Sequence, residues 1–305
     1  MTLNPPHEPE LDPPFEVVEP VRLTCPLVFS SPHSGNVYPR RFLEAARLDE
    51  SVLRRSEDAF VDALFGGATA LGAPLIRARF PRAYLDLNRE PYELDPRMFD
   101  GELPAFANTR SLRVAGGLGT IARVVGQAQE IYGRRIPVGE ALERIEKLYK
   151  PYHACLRGLI DRALQVFGIA VLIDCHSMPS GVLRQTPLFK LSEPARRPDF
   201  VVGDRYGTSC AADFVDLVEY ELRQRGYDVR RNKPYAGGFI TEHYGNPAGE
   251  CHAMQIEVSR SLYMDERAVI RGDRFVEVAA DLTMIAGALA DAATARRDRP
   301  RAAAE

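Results

Sequence analysis

The chain is predicted to be an α/β protein, a three-layer α/β/α arrangement around a mixed, mostly parallel central sheet. Three observations carry this expectation. Short apolar, β-branched runs alternate with longer stretches of helical periodicity along most of the 305 residues. Two of the runs, Leu27-Val28-Phe29-Ser30-Ser31 and Ala170-Val171-Leu172-Ile173, read as buried strands. Each leads into a His-Ser pair, His33-Ser34 and His176-Ser177, which puts a histidine at a strand's carboxyl end. That edge is where open α/β sheets bind ligands.

The elements follow in order. Residues 1–14 are proline-rich and acidic and read as a flexible leader; residues 294–305, rich in Arg and Ala, read as a tail. No linker or repeat interrupts 15–293, so a single catalytic domain is expected there. Strands are expected at 26–31, 74–79, 82–87, 169–175, 199–203, 227–231 and 252–258. Helices are expected at 50–71, 139–167, 208–225 and 265–290. The clearest is 139–167, where Leu142, Ile145, Leu148, Tyr149, Tyr152, Leu156, Leu159 and Ile160 recur at three- and four-residue spacing. Pro137 stands near its start and Gly168 just past its end, while Pro151 is expected to kink it.

Composition excludes several function classes. With 45% hydrophobic and 27% charged residues and a net charge of −3, the chain has no basic footprint for nucleic acid and no polybasic membrane anchor. No run approaches the roughly 18 apolar residues of a membrane span, and the start lacks the pattern of a signal peptide. Five cysteines without paired spacing point to reduced thiols and a cytoplasmic setting.

Imidazole is the commonest protein ligand for catalytic transition metals, so two histidines delivered at strand ends suggest half of a metal site. Each taken alone reads more readily as a structural histidine; the shared strand-end context and the neighbouring Asp174 are what favour a site. A hydrolytic zinc site takes three protein ligands plus water, often two His and one carboxylate. Ser56-Glu57-Asp58-Ala59-Phe60-Val61-Asp62 offers the carboxylate on an amphipathic helix, with Asp58 able to face inward; the alternative is a solvated acidic face. In Arg82-Ala83-Tyr84-Leu85-Asp86-Leu87-Asn88-Arg89, Tyr84, Asp86 and Asn88 would share one face of a strand. The Asn88-Arg89 pair at its end suits a carboxylate ligand, because guanidinium makes two parallel charge-assisted bonds. A salt bridge from Arg89 to Glu93 is the competing reading. Glu257, between Ile256 and Val258, must be exposed on the opposite pleat, paired with Arg260, or a catalytic base, because an unpaired buried carboxylate is costly. The stretch 235–245, with Gly237, Gly238 and His243, reads as a mobile active-site rim, or as a loop with an ordinary histidine.

Other signals are discarded. Gly116-Gly117-Leu118-Gly119-Thr120 lacks the Gly-Lys-Ser/Thr ending of a phosphate loop, and no strand precedes it. His153 reads as a packed or surface helix residue. No Gly-x-Ser-x-Gly elbow supports a serine hydrolase, and no Cys-x-x-Cys pair occurs.

Taken together, Ser31-Pro32-His33-Ser34-Gly35, Asp58, Asp86-Leu87-Asn88-Arg89, Asp174-Cys175-His176-Ser177-Met178, Gly237-Gly238-Phe239-Ile240-Thr241, His243-Tyr244-Gly245, Gln255-Ile256-Glu257 and Arg260-Ser261-Leu262-Tyr263-Met264-Asp265-Glu266 resemble the N-formylglutamate amidohydrolase family. The resemblance runs from about residue 25 to 266. That family resembles the zinc exopeptidases, with their carboxypeptidase-like, phosphorylase/hydrolase-like sheets. The resemblance implies one zinc, or another divalent ion, per chain, held by His33, Asp58 and His176, with Glu57 the alternative to Asp58. Carboxypeptidases place a glutamate three residues after the first zinc histidine, and here that position is Asn36. Glu257 is implied as general base, and Arg82, Asn88, Arg89 and His243 as contacts to a small anionic N-acyl amino acid. The implied reaction yields formate and glutamate from N-formyl-L-glutamate. The other readings are a related deacylase or peptidase of different specificity, and a metal-free protein that binds acidic amino acids.

Overall fold

The computed structural model describes residues 8–181 and 198–297; most of the expected leader and tail ends, 1–7 and 298–305, lie outside the described residues. A seven-stranded sheet is formed by β1 (Phe15–Val18), β2 (Leu27–Ser31), β3 (Leu75–Ala78), β4 (Ala170–Met178), β5 (Phe200–Gly203), β6 (Val229–Arg231) and β7 (Cys251–Ser259). Its order is β1-β3-β2-β4-β7-β5-β6. The pairs β2/β4, β4/β7 and β5/β6 are parallel and β5/β7 is antiparallel, so the sheet is mixed as predicted. Helices accompany it: α1 (Val138–Arg144), α2 (Lys150–Phe167), α3 (Ala212–Gln224), α4 (Phe239–Tyr244) and α5 (Phe275–Arg297). Among the described residues no helix is long and apolar enough to cross a membrane.

The chain divides into two compact units. One comprises Met1–Val17, Ser31–Ala59 and Ile76–Arg157; the other comprises Val18–Ser30, Phe60–Leu75 and Gly158–Glu305. In the second unit β4 and β7 are buried along their whole length. Their parallel register pairs Asp174 with Gln255 and His176 with Glu257. Side chains alternate along a strand, so these four polar residues share one face, while Ile173, Cys175, Ile256 and Val258 occupy the other. The apolar face holds the strands in the core, and the polar face is thereby fixed. Helix α5 packs on α3 and on the turns of 61–71 in this same unit.

The predicted helix 139–167 is present, but it is interrupted. Ile145–Tyr149 form a π turn between α1 and α2, in which the Lys150 N–H reaches back to the Ile145 carbonyl. Pro151 has no N–H to donate and crowds the carbonyl four residues back, and the expected kink takes the form of this wide turn. Gly35, just after His33, is required by close approach: a Cβ there would lie 2.3 Å from the Phe80 carbonyl oxygen.

Several expectations are corrected. No strand forms at 82–87; Pro81 opens a turn in which the Tyr84 and Leu85 amides donate to its carbonyl. The helix expected at 50–71 breaks into Glu50–Leu53, a 3-10 turn Arg54–Ser56, a non-helical Glu57-Asp58, Val61–Leu64 and a 3-10 stretch Gly66–Leu71. Asp58 leaves helical geometry because its N–H donates to the His33 carbonyl at 3.0 Å, and Phe60 turns the chain with φ 66°. The helix expected at 208–225 begins only at Ala212. The last helix starts at Phe275 rather than 265, since Met264–Asp265 pairs with Ile270–Arg271 in a short antiparallel ribbon. Asp265 turns that ribbon by accepting the Arg267 and Ala268 amides. The rim expected at 235–245 contains α4. Strand β1 carried no periodic signal beyond four residues. Before it, Pro9–Leu11 form a 3-10 turn with Leu11 buried.

Candidate active site

His33 leaves β2 by two residues and is buried. Its Nε2 lies 2.7 Å from Asp86 Oδ1. The Asp86 carboxylate also accepts from Arg82 Nη2 at 2.9 Å and from the Asn88 N–H at 2.9 Å, with Arg89 Nη2 at 3.8 Å. Burial alone would raise the Asp86 pKa, but Arg89, His33 and Arg82 outweigh it and hold the carboxyl well below its ordinary value. With the Asp86 carboxylate as acceptor, Nε2 is the donor of this hydrogen bond, and a neutral His33 would then offer its lone pair at Nδ1.

Nδ1 lies 3.4 Å from Asp58 Oδ2. Two ligands on one tetrahedral ion with bonds near 2.1 Å stand about 3.4 Å apart, so this spacing fits a shared cation. Asp58 rather than Glu57 is the carboxylate beside His33. Glu57 is directed to the Tyr38 hydroxyl at 2.8 Å and the Arg54 guanidinium at 3.1 Å.

His176 repeats the arrangement from β4. Its Nε2 lies 2.9 Å from Asp174 Oδ2, two residues earlier on the same strand face. Asp174 is also the register partner of Ser30 on β2, three residues before His33. His33, Asp58 and His176 each offer one ligand atom within 4.8 Å of the others, a group that could hold a metal ion. All three are at most 3% exposed. Two imidazoles and a carboxylate form the donor set of a hydrolytic zinc centre. Each imidazole has its Nε2 beside a buried carboxylate oxygen, at 2.7 Å for His33 and 2.9 Å for His176, the kind of outer contact that fixes tautomer and ring orientation in metal sites.

Glu257 stands directly across from His176 on β7. It is 7% exposed, and its Oε1 accepts from Gln255 Nε2 at 2.8 Å. Arg260, the partner considered for it from sequence, donates to the Ser177 hydroxyl at 3.1 Å. Arg82 bridges two carboxylates, 2.9 Å from Asp86 and 4.0 Å from Asp58. Arg89 donates to the Leu118 carbonyl at 3.0 Å and the Asn88 carbonyl at 2.8 Å. Burial pulls its guanidinium pKa down from the usual value, with Asp86 opposing. Arg113, not Arg89, approaches Glu93, at 3.9 Å. Asn88 is buried, whereas Tyr84 turns away to sit under the Arg144 guanidinium. His243 lies on α4, exposed and stacked on Phe239 at 4.9 Å.

Sequence reasoning did not assign roles to Asp86, Asp174 and Gln255. Asp174 and Gln255 had a usable signal, since each precedes a candidate residue by two positions in a strand. Asp86 had none, because 53 residues separate it from His33.

The sequence profile of the N-formylglutamate amidohydrolase family matches residues 25–264. The N-formylglutamate deformylase of Pseudomonas putida is 30% identical over 79% of this chain and 82% of its own length. That of Pseudomonas aeruginosa is 28% identical over 83% and 87%. The crystal structure of N-formylglutamate amidohydrolase from Ralstonia eutropha JMP134 is 38% identical, with a TM-score of 0.86 over 93% of this chain and 99% of that one. The Agrobacterium tumefaciens gene product Atu2144 shares the fold at 16% identity, with a TM-score of 0.63 over 93% of this chain and 96% of that one. This chain belongs to the N-formylglutamate amidohydrolase family, as a hydrolase of amide C–N bonds.

Proposed function

We propose that this chain hydrolyses N-formyl-L-glutamate to formate and glutamate, with one divalent ion, zinc by preference, held by His33, Asp58 and His176. The observation that carries the reading is the buried His-Asp-His group, whose two imidazoles are each oriented by a carboxylate. An ion bound there would polarise the formyl carbonyl and lower the pKa of water from 15.7 to about 7.

The remaining steps belong to side chains of this protein. Glu257, facing His176 across the strand pair, takes the proton as water oxygen adds to the formyl carbon. It then delivers that proton to the nitrogen as the C–N bond breaks, so the amine leaves neutral. Gln255 orients the carboxylate through Oε1. Asp86 and Asp174 keep the imidazole tautomers, with their lone pairs directed away from the carboxylates that orient them. Arg89, Arg82 and Asn88 supply the cationic and amide donors that suit a substrate carboxylate, and His243 is a further polar contact from α4.

A panel of N-formyl and N-acetyl amino acids tests the substrate. The expected result is formate release from N-formylglutamate well above that from N-formyl derivatives of neutral amino acids. No formate from N-formylglutamate with the metal-supplemented protein would overturn the reading.

A further inference from the structure

The backbone of Asp86-Leu87-Asn88-Arg89 belongs to no helix or strand, yet Asp86, Leu87 and Asn88 are all buried. Buried carbonyls outside regular structure need partners. Two come from one helix. The Tyr149 hydroxyl, at the end of the π turn, donates to the Arg89 carbonyl at 2.7 Å. His153 Nε2, one turn on in α2, lies 2.9 Å from the Leu87 carbonyl. The two ring centroids lie 4.2 Å apart, with the planes tilted by 30°. A carbonyl only accepts, so Nε2 of His153 is the donor.

The clamp thus grips the carbonyls on either side of Asn88. Within the same four residues, Asp86 orients His33 and Arg82, and Arg89 holds its guanidinium against the Leu118 and Asn88 carbonyls. A π turn rotates every later side chain by about 100° relative to an uninterrupted α-helix. Tyr149 and His153 stand at and beyond that turn, so its presence sets which face they present.

We propose that Tyr149 and His153 are positioning residues that fix the Asp86–Arg89 segment and so place Arg89 for the substrate's carboxylate. This rests on the hydrolase reading above. A single hydrogen bond is worth a factor of about three to ten in such a placement.

The test compares Tyr149→Phe, His153→Phe and His153→Gln in the full-length, metal-loaded protein. Tyr149→Phe and His153→Phe are expected to raise KM for N-formylglutamate about fivefold, with kcat within about twofold. His153→Gln, which keeps an N–H donor, is expected to return KM to within about twofold of the parent. Amide exchange at Asn88 and Arg89 reads the clamp without any assay, and should quicken about fivefold in both Phe variants. Unchanged KM and exchange in both Phe variants would overturn the proposal, as would His153→Gln behaving like His153→Phe. Failure of the parent protein to act on N-formylglutamate would remove the hydrolase reading; the exchange rates would still decide whether the clamp exists.

Discussion

Glu257 and His176 are register partners on adjacent parallel strands, so a candidate base and a candidate metal ligand stand side by side on one sheet face. Neither can move without moving a strand that is buried along its whole length. Each is also held by the residue two positions before it, Gln255 and Asp174. Placement by the sheet, rather than by a loop, would keep the pair aligned for the proton transfer proposed for Glu257.

Replacing Glu257 with Gln keeps the shape and removes the base. Turnover should fall by about two to four orders of magnitude, while metal content and thermal stability stay close to the parent. Steady-state kinetics with elemental analysis of the same sample checks this, and near-parent turnover would exclude Glu257 as the base.

Asp86→Asn removes the anion that orients His33 and receives Arg82. Loss of such an outer contact costs about 10- to 100-fold in metal affinity, measurable by competition with a coloured chelator. The Asp86 carboxyl is held well below its ordinary 3.8 by Arg89, His33 and Arg82, against the opposing effect of burial. Its folded value lies below the unfolded one, so its contribution to stability is complete above about pH 3.8 and is lost as pH falls through the folded value. The Asn variant should therefore narrow its stability deficit against the parent in strong acid, followed by denaturant titration at several pH values.

His252 predicts acid sensitivity at milder pH. Fully buried in β7, it accepts the Ala211 N–H at Nδ1 and meets the Phe214 ring edge-on at 5.0 Å. Burial, aided by Arg296 and opposed by Glu250, lowers its pKa below 6.5. The unfolded chain then binds the proton first. Stability should fall as pH drops below 6.5 and level off below the folded value, by at most about 1.4 kcal/mol per pH unit. His252→Gln, which can still accept the Ala211 amide, should flatten that slope in urea titrations between pH 7 and 5.

The sequence disclosed most where burial was complete. Strands β4 and β7 were legible because each carries an unbroken row of apolar residues on one pleat, Val171, Ile173 and Cys175 in one and Met254, Ile256 and Val258 in the other, and both are buried along their length. His33 and His176 were visible for the same reason, as polar residues at the ends of such runs. Asp58 was identified in type but not in setting, since helical periodicity around it hid the break that lets its N–H reach His33. The 82–87 turn was misread because alternation of Tyr84 and Asp86 imitates a strand, while Pro81 sets the backbone. The role of Asp86 in orienting His33 was not legible, because it depends on a tertiary contact across 53 residues.

The metal dependence of formate release tests the central claim most directly. Purified protein should contain about one divalent ion per chain. Stripping with chelator should abolish formate release from N-formylglutamate, and adding zinc back should restore it, with His176→Ala binding the ion far more weakly. Full activity in protein shown by elemental analysis to be metal-free would contradict the account.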